Sequence, residues 1–166
     1  VKLHVLTAVT RPENLSAIGH SLFDNHDDGW EISWHLMHAN QEHVGGQYLK
    51  NLMLDEVEDG WVYILDDDTI MHADFQRVTH ETISDRSWAR ALVFAQRRPE
   101  GVVQPEMTRG MIDIGQALIR RDAIAETRIP ELYDGDGWFL TKVLGGNDVV
   151  WIETVLSHYN ALRKET

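Results

Sequence analysis

The chain has 166 residues, 43% of them hydrophobic and 25% charged, with six Trp and no Cys. That composition suits one compact domain with a core of useful size and excludes a disulfide framework or a thiolate metal site. A formal net charge of −12 excludes general affinity for nucleic acid or anionic lipid, though an acidic protein can take a phosphorylated ligand with a divalent cation between them. Val1 to Thr10 lacks the charged start and long apolar stretch of a signal peptide. No apolar run approaches the ~20 residues of a membrane span. The expectation is a cytoplasmic protein with no nucleic-acid partner and no membrane insertion.

In chain order, Leu3 to Val9 reads as a buried strand. Thr10-Arg11-Pro12-Glu13 has the pattern of a capping box with Pro in the first turn, and Leu15, Ile18 and Leu22 follow at helical spacing. A second strand is predicted over Trp30 to Met37, then a polar loop containing Gly45-Gly46-Gln47, where glycine permits close approach to a ligand. Leu49, Leu52, Met53 and Val57 give the next helix one apolar face, and Glu58-Asp59-Gly60 stops it. Trp61 to Leu65 is apolar at nearly every position, as in a strand covered on both faces. Ala91 to Ala95 is another strand, and Met111 to Ile119 holds one or two short ones. Gly137 to Leu144 is helical, with Phe139, Leu140, Val143 and Leu144 inward, and Val149 to Leu156 is a late strand. The stretch from Arg97 to Arg109 carries no clear pattern. Alternating strands and helices predict a three-layer α/β/α sandwich with a mostly parallel central sheet.

Asp66, Asp67 and Asp68 stand immediately after the most apolar strand. Ligands of open α/β sheets bind outside the carboxyl ends of strands. Three adjacent carboxylates repel one another unless a cation neutralises them, and hard oxygen ligands suit Mg²⁺ or Mn²⁺, which in turn hold a diphosphate. The bland alternative is a solvated acidic turn.

The stretch Trp61-Val62-Tyr63-Ile64-Leu65-Asp66-Asp67-Asp68-Thr69 resembles the GT-A glycosyltransferases, whose signature is an Asp-X-Asp motif after a hydrophobic strand. Thr7-Ala8-Val9-Thr10-Arg11-Pro12 looks like that family's nucleotide-binding start. Gly110 to Gln116 looks like the region lining the sugar and acceptor site, and Tyr133 to Leu140 like the acidic motif that opens the helix beneath the acceptor.

The resemblance runs over nearly the whole chain and implies a single GT-A domain over residues 1–166. A Rossmann-like nucleotide-binding half would cover about 1–70 and an acceptor half about 71–166. It implies Mn²⁺ (or Mg²⁺) as cofactor, a nucleotide-sugar donor with a UDP-sugar favoured, and a glycan or other hydroxyl acceptor. Asp68 would be the principal metal ligand, Asp66 would contact ribose or metal, and His158 would complete the metal shell. Thr7, Arg11 and Asp67 would lie at the nucleotide, and Asp113, Gln116 and Trp138 at the sugar and acceptor. Asp136 would be the general base of an inverting transfer, with Asp134 in reserve, although an Asp there also serves as an N-cap. This chain has Gly135-Asp136 where family members often carry Glu-Asp.

Two other functions fit parts of the pattern. A haloacid-dehalogenase-type phosphohydrolase would use Asp66 as nucleophile, but it expects Thr two positions after its second Asp, where this chain has Ile70. It also expects its motif near the first strand. A non-catalytic nucleotide-sugar-binding module would need no base, yet Asp136 is present. Among the nine His, His35 and His38 fall on opposite faces of a strand and read as ordinary. The basic pairs Arg97-Arg98, Arg120-Arg121 and Arg163-Lys164, together with Arg109, are candidates to assist a diphosphate. Arg97-Arg98 and Arg163-Lys164 are the better placed.

Overall fold

The computed structural model describes residues 1–38, 46–108 and 110–163; Gly45, Arg109 and Lys164 lie outside them. Among the described residues eight strands form one sheet: β1 (Lys2–Val9), β2 (Glu31–His38), β3 (Trp61–Ile64), β4 (Ile70–Met71), β5 (Ala91–Arg98), β6 (Gly101–Val103), β7 (Ala117–Arg120) and β8 (Val149–His158). Five α-helices accompany them: α1 (Leu15–Phe23), α2 (Gln47–Glu56), α3 (Phe75–Asp85), α4 (Arg121–Ile124) and α5 (Gly135–Leu144). The strand order is β2-β1-β3-β7-β5-β8-β4, with β6 paired to β5.

β1 runs parallel to both β2 and β3, and β5 runs parallel to β8. β7 is antiparallel to both β3 and β5, so β1, β2, β3, β5 and β8 all point one way. The short β4 and β6 are antiparallel to their neighbours. The sheet is therefore mostly parallel, as its sequence implied.

Side chains alternate along each strand, and both faces of the sheet are covered. On one face Leu6, Ala8, Val62 and Ile64 pack with Met53 and Leu54 of α2 and with Phe139, Leu140 and Val143 of α5. On the other, Leu3, Val5, Tyr63 and Leu65 pack with Ile18 and Leu22 of α1 and Phe75 of α3. These two cores make the three layers.

The predicted elements appear with ends shifted by a few residues, but four were missed: β4, α3, β6 and α4. α3 packs Phe75, Val78 and Ile83 on the core, but the polar Gln76 and Thr79 share its buried face. Gln76 donates to the Leu22 carbonyl at 2.5 Å and accepts from the Asp27 amide at 2.9 Å, while Thr79 is fully buried. Such a helix has a broken apolar stripe. β6 folds back on β5 as a hairpin, with Arg98 opposite Gly101, and this orders the start of the patternless stretch. α4 is one turn long.

The expected capping box at Thr10 and Glu13 does not form. The turn Pro12–Asn14 is a 3₁₀ helix capped by Arg11 without a side-chain bond. The Thr10 amide and hydroxyl are instead drawn to Asp67. Among the described residues no helix is long and apolar enough to cross a membrane.

Candidate active site

Because β1, β3 and β8 point the same way, their carboxyl ends open on one edge of the sheet. The segments that follow them meet there and line an open cleft of about 410 Å³. The turn after β1 supplies Thr10 and Arg11, the turn after β3 supplies Asp66, Asp67 and Asp68, and the chain after β8 supplies Tyr159, Asn160 and Arg163. Gln47 and Lys50 of α2, Asp136 of α5 and Tyr133 complete the lining with Ala8.

Asp67 holds the first two of those turns together. Its Oδ2 accepts from the Thr10 amide at 2.5 Å, the Thr10 hydroxyl at 2.8 Å and the Arg11 amide at 2.6 Å. Its Oδ1 accepts from Arg11 Nη1 at 2.6 Å, and its carbonyl accepts from Asn14 Nδ2 at 2.8 Å. A buried carboxylate supplied with this many donors is a strut.

Asp68 is also buried, with Oδ2 3.2 Å from Arg11 Nη1. Burial raises its pKa, Asp66 adds to the rise, and Arg11 opposes it. Asp66 is half-buried and accepts from Lys50, whose Nζ lies 2.8 Å from its Oδ1.

α2 begins close against β1 because Gly46 adopts φ 71°, and a Cβ there would lie 2.6 Å from the Ala8 Cβ. That approach carries Lys50, only 1% exposed, to the floor of the cleft. Its burial works against its charge, yet the attraction of Asp66 and then Asp136 prevails, and its pKa is raised.

Asp136 stands in the first turn of α5, where the helix dipole favours a negative charge. The N-cap is Asp134, whose carbonyl accepts from the Trp138 amide. A Cβ at Gly135 would sit 2.1 Å from the Pro130 carbonyl oxygen. Glycine at that position therefore lets the helix start against the preceding loop, which accounts for Gly135 in place of an acid.

Asp136 Oδ2 is 3.9 Å from Lys50 Nζ, and its buried Oδ1 meets no hydrogen-bond donor among the described residues. Burial pushes its pKa up to about 6, against the pull of Lys50 and with help from Asp66 and Asp113. A carboxyl with that affinity for protons suits general-base work near neutrality.

The cleft thus unites Arg11, Asp66, Asp67, Asp68 and Asp136 from the sequence-derived set. The others stand apart from the described lining. Thr7 is fully buried and accepts from Trp34 Nε1 at 3.1 Å. Asp113 and Gln116 form a reciprocal capping box on the 3₁₀ turn Ile114–Gln116, with Gln116 wholly buried. Asp113 also accepts from Gln96 Nε2 at 3.1 Å, and burial raises its pKa. Trp138 of α5 packs against the core, with Lys142 Nζ 5.0 Å from its ring centre. His158 stacks on His72 with ring centres 5.3 Å apart. His35 meets His4 across the β1–β2 pair, their ring nitrogens 3.0 Å apart.

Among the basic candidates Arg163 lines the cleft. Arg98 instead lies over the Tyr159 ring at 5.1 Å, Arg120 pairs with Asp122, and Arg121 donates to the Val57 carbonyl.

Sequence reasoning missed Lys50, Tyr159 and Asn160, and it named Gln47 and Tyr133 only within the Gly45-Gly46-Gln47 turn and the Tyr133–Leu140 segment, without a role of their own. For Lys50 a signal existed: Gln47, Lys50 and Met53 recur every third residue on the buried stripe of α2, where a charge demands partners. Among the described residues no group of three His, Cys, Asp or Glu converges closely enough to hold a metal ion unaided.

The sequence matches no protein-family model and no curated protein. Solved structures do match its fold. S. aureus TarS (residues 1–349) superposes with a TM-score of 0.72 at 13% identity, covering 95% of this chain and 60% of that one. TarS in complex with UDP-GlcNAc gives a TM-score of 0.73 at 10% identity, covering 99% and 59%. The mannosyltransferase PcManGT from Pyrobaculum calidifontis, in complex with GDP-Man and Mn²⁺, gives 0.69 at 12% identity, covering 98% and 57%. The chain therefore has the fold of GT-A glycosyltransferases and spans about 60% of the length of these TarS and PcManGT chains.

Proposed function

We propose that this protein is a glycosyltransferase that moves a sugar from a nucleotide-sugar, with a UDP-sugar favoured, to an acceptor hydroxyl with inversion at the anomeric carbon. One observation carries the reading. Asp66 and Asp68, from the turn after β3, and Asp136, from the start of α5, line one cleft at the carboxyl edge of the sheet. A donor-holding pair and a general base need that juxtaposition. The fold shared with TarS and PcManGT supports it, since structures of those proteins hold UDP-GlcNAc and GDP-Man.

In this reading Asp66 and Arg11 flank the nucleoside. Asp68 would hold the divalent cation, Mn²⁺ or Mg²⁺, together with the donor diphosphate. The chemistry fits: Asp68 offers hard carboxylate oxygens in a setting where burial, and then the neighbouring acids, disfavour its charge. The cation would supply charge stabilisation for the departing diphosphate.

Asp136 accepts the proton of the acceptor hydroxyl while that oxygen bonds to the anomeric carbon. The bond from that carbon to the diphosphate oxygen breaks, and the nucleoside diphosphate leaves with the electron pair. Arg163, at the cleft rim, stands where it can assist that leaving charge. The phosphohydrolase alternative is not favoured, because the fold is shared with TarS and PcManGT and Ile70 stands where that alternative expects Thr.

Calorimetric titration of UDP into the protein, with and without Mn²⁺, tests the reading. Binding should appear with Mn²⁺ and disappear in Asp68→Ala, while Asp136→Asn should keep UDP binding and lose transfer. Silence of both UDP and GDP under either condition would overturn it.

A further inference from the structure

Lys50 has no part in the transfer step described above, yet it is the most deeply buried charge in the cleft. Its Nζ contacts Asp66 Oδ1 at 2.8 Å and Asp136 Oδ2 at 3.9 Å. Those two acids come from different elements, one following β3 and the other opening α5. A buried ammonium persists only where carboxylates compensate it, and removing a partner shifts the whole burden to the other.

We propose that Lys50 is a positioning residue that joins the two ends of the cleft, its single ammonium shared between Asp66 and Asp136, so that a ligand engaging Asp66 changes how firmly Asp136 is held. The proposal rests on the preceding reading only in taking the Asp66 end as the donor end.

The unequal distances give the direction of the effect. Asp66 holds the short, hydrogen-bonded contact, and Asp136 has the longer one, with its Oδ1 meeting no donor among the described residues. When a donor engages Asp66, the ammonium turns toward Asp136, the other acid in contact with it. Asp136 then becomes better fixed and more fully ionised, which is the state a general base requires. The base is thus completed after the donor arrives, and an empty cleft leaves it with its raised proton affinity. Three groups bear on Asp136: Lys50 on α2, Asp66 after β3, and Asp113 before the 3₁₀ turn that leads into β7. Lys50 alone among them favours its ionised form.

The test follows the ¹³C resonance of the Asp136 carboxyl by NMR through a pH titration, without nucleotide or metal. Wild type should titrate near pH 6. Lys50→Met should raise that midpoint by about one pH unit, a tenfold gain in proton affinity, and Asp66→Asn should lower it by a similar amount. Lys50→Arg should keep it close to wild type. Asp66→Asn leaves the buried lysine in place, so it decides the matter if Lys50→Met does not fold. A midpoint unmoved by Asp66→Asn overturns the proposal.

UDP with Mn²⁺ should lower the wild-type midpoint in the same direction as Asp66→Asn. Binding of UDP without that movement overturns the link to the ligand. If UDP never binds but the substitutions move the midpoint as stated, the donor reading fails and the shared ammonium stands.

Discussion

The turn Asp66–Asp68 and the first turn of α5 bring carboxylates to the same cleft and treat them in opposite ways. Asp67 accepts four hydrogen bonds from Thr10 and Arg11 and has 5% of its side chain exposed. Asp136 has one distant cation and a buried oxygen with no donor among the described residues. The first acid is spent on architecture, fixing the end of β1 to the end of β3. The second is left short of partners, and its raised proton affinity follows from that shortage. A buried polar group with its bonding capacity unfilled is a candidate for chemistry, whereas a filled one holds the fold.

The largest effect expected of this contrast is at Asp67. Asp67→Ala removes a buried carboxylate, leaves the partly exposed Arg11 to Asp68 alone and strands two backbone amides, so it should cost about 3–5 kcal/mol of stability. Urea denaturation measures it. A cost under about 1 kcal/mol would mean that water or a neighbour replaces the strut, and the contrast would collapse.

Asp136→Asn should act in the other direction. A group whose pKa rises on folding is stabilising when protonated, and that contribution is lost as pH climbs through the folded value. The rise from 3.8 to about 6 corresponds to about 3 kcal/mol at roughly 1.4 kcal/mol per unit. The amide variant should therefore be more stable than wild type by up to that amount at pH 8. The gain should shrink between pH 6 and pH 4 and vanish below, where the wild-type acid is protonated in both states. Melting curves at pH 8 and pH 4 supply the comparison. An unchanged or lowered melting temperature at pH 8 would show that Asp136 is well satisfied after all.

Much of this was legible in the chain itself. Continuous apolar strands such as Trp61 to Leu65, followed directly by three acids, announce both a two-sided sheet and a ligand edge. Asp66, Asp68, Asp136 and Arg11 reach the cleft because each directly follows a strand or begins a helix, positions that sequence pattern identifies well. The misses share a different physical origin. Lys50 is a charge on an apolar stripe, and its partners lie on other elements, so no local pattern reveals why it is tolerated. Gln116 and Thr7 look available in sequence because they are polar, but hydrogen bonds to Phe94, Val103 and Trp34 absorb them. α3 escapes notice because Gln76 and Thr79 do work at its interface that apolar side chains usually do.

The smallest effect on stability is expected at Tyr133, the residue of the cleft least committed to the fold. It lines the site while its side chain is 100% exposed, so truncating it removes almost no packing. Tyr133→Ala should change the unfolding free energy by less than about 0.5 kcal/mol. An aromatic ring standing free beside a cleft is nevertheless well suited to meet a ligand, because it offers a large contact area with few torsions to freeze. If the ring closes over the donor, the same substitution should weaken UDP-sugar binding by about 1 kcal/mol, roughly fivefold. Denaturation and calorimetry on one variant separate the two roles. Weaker binding at unchanged stability would extend the functional end of the cleft from Asp136 to the loop before it. Loss of stability would instead make Tyr133 part of the scaffold, alongside Asp67.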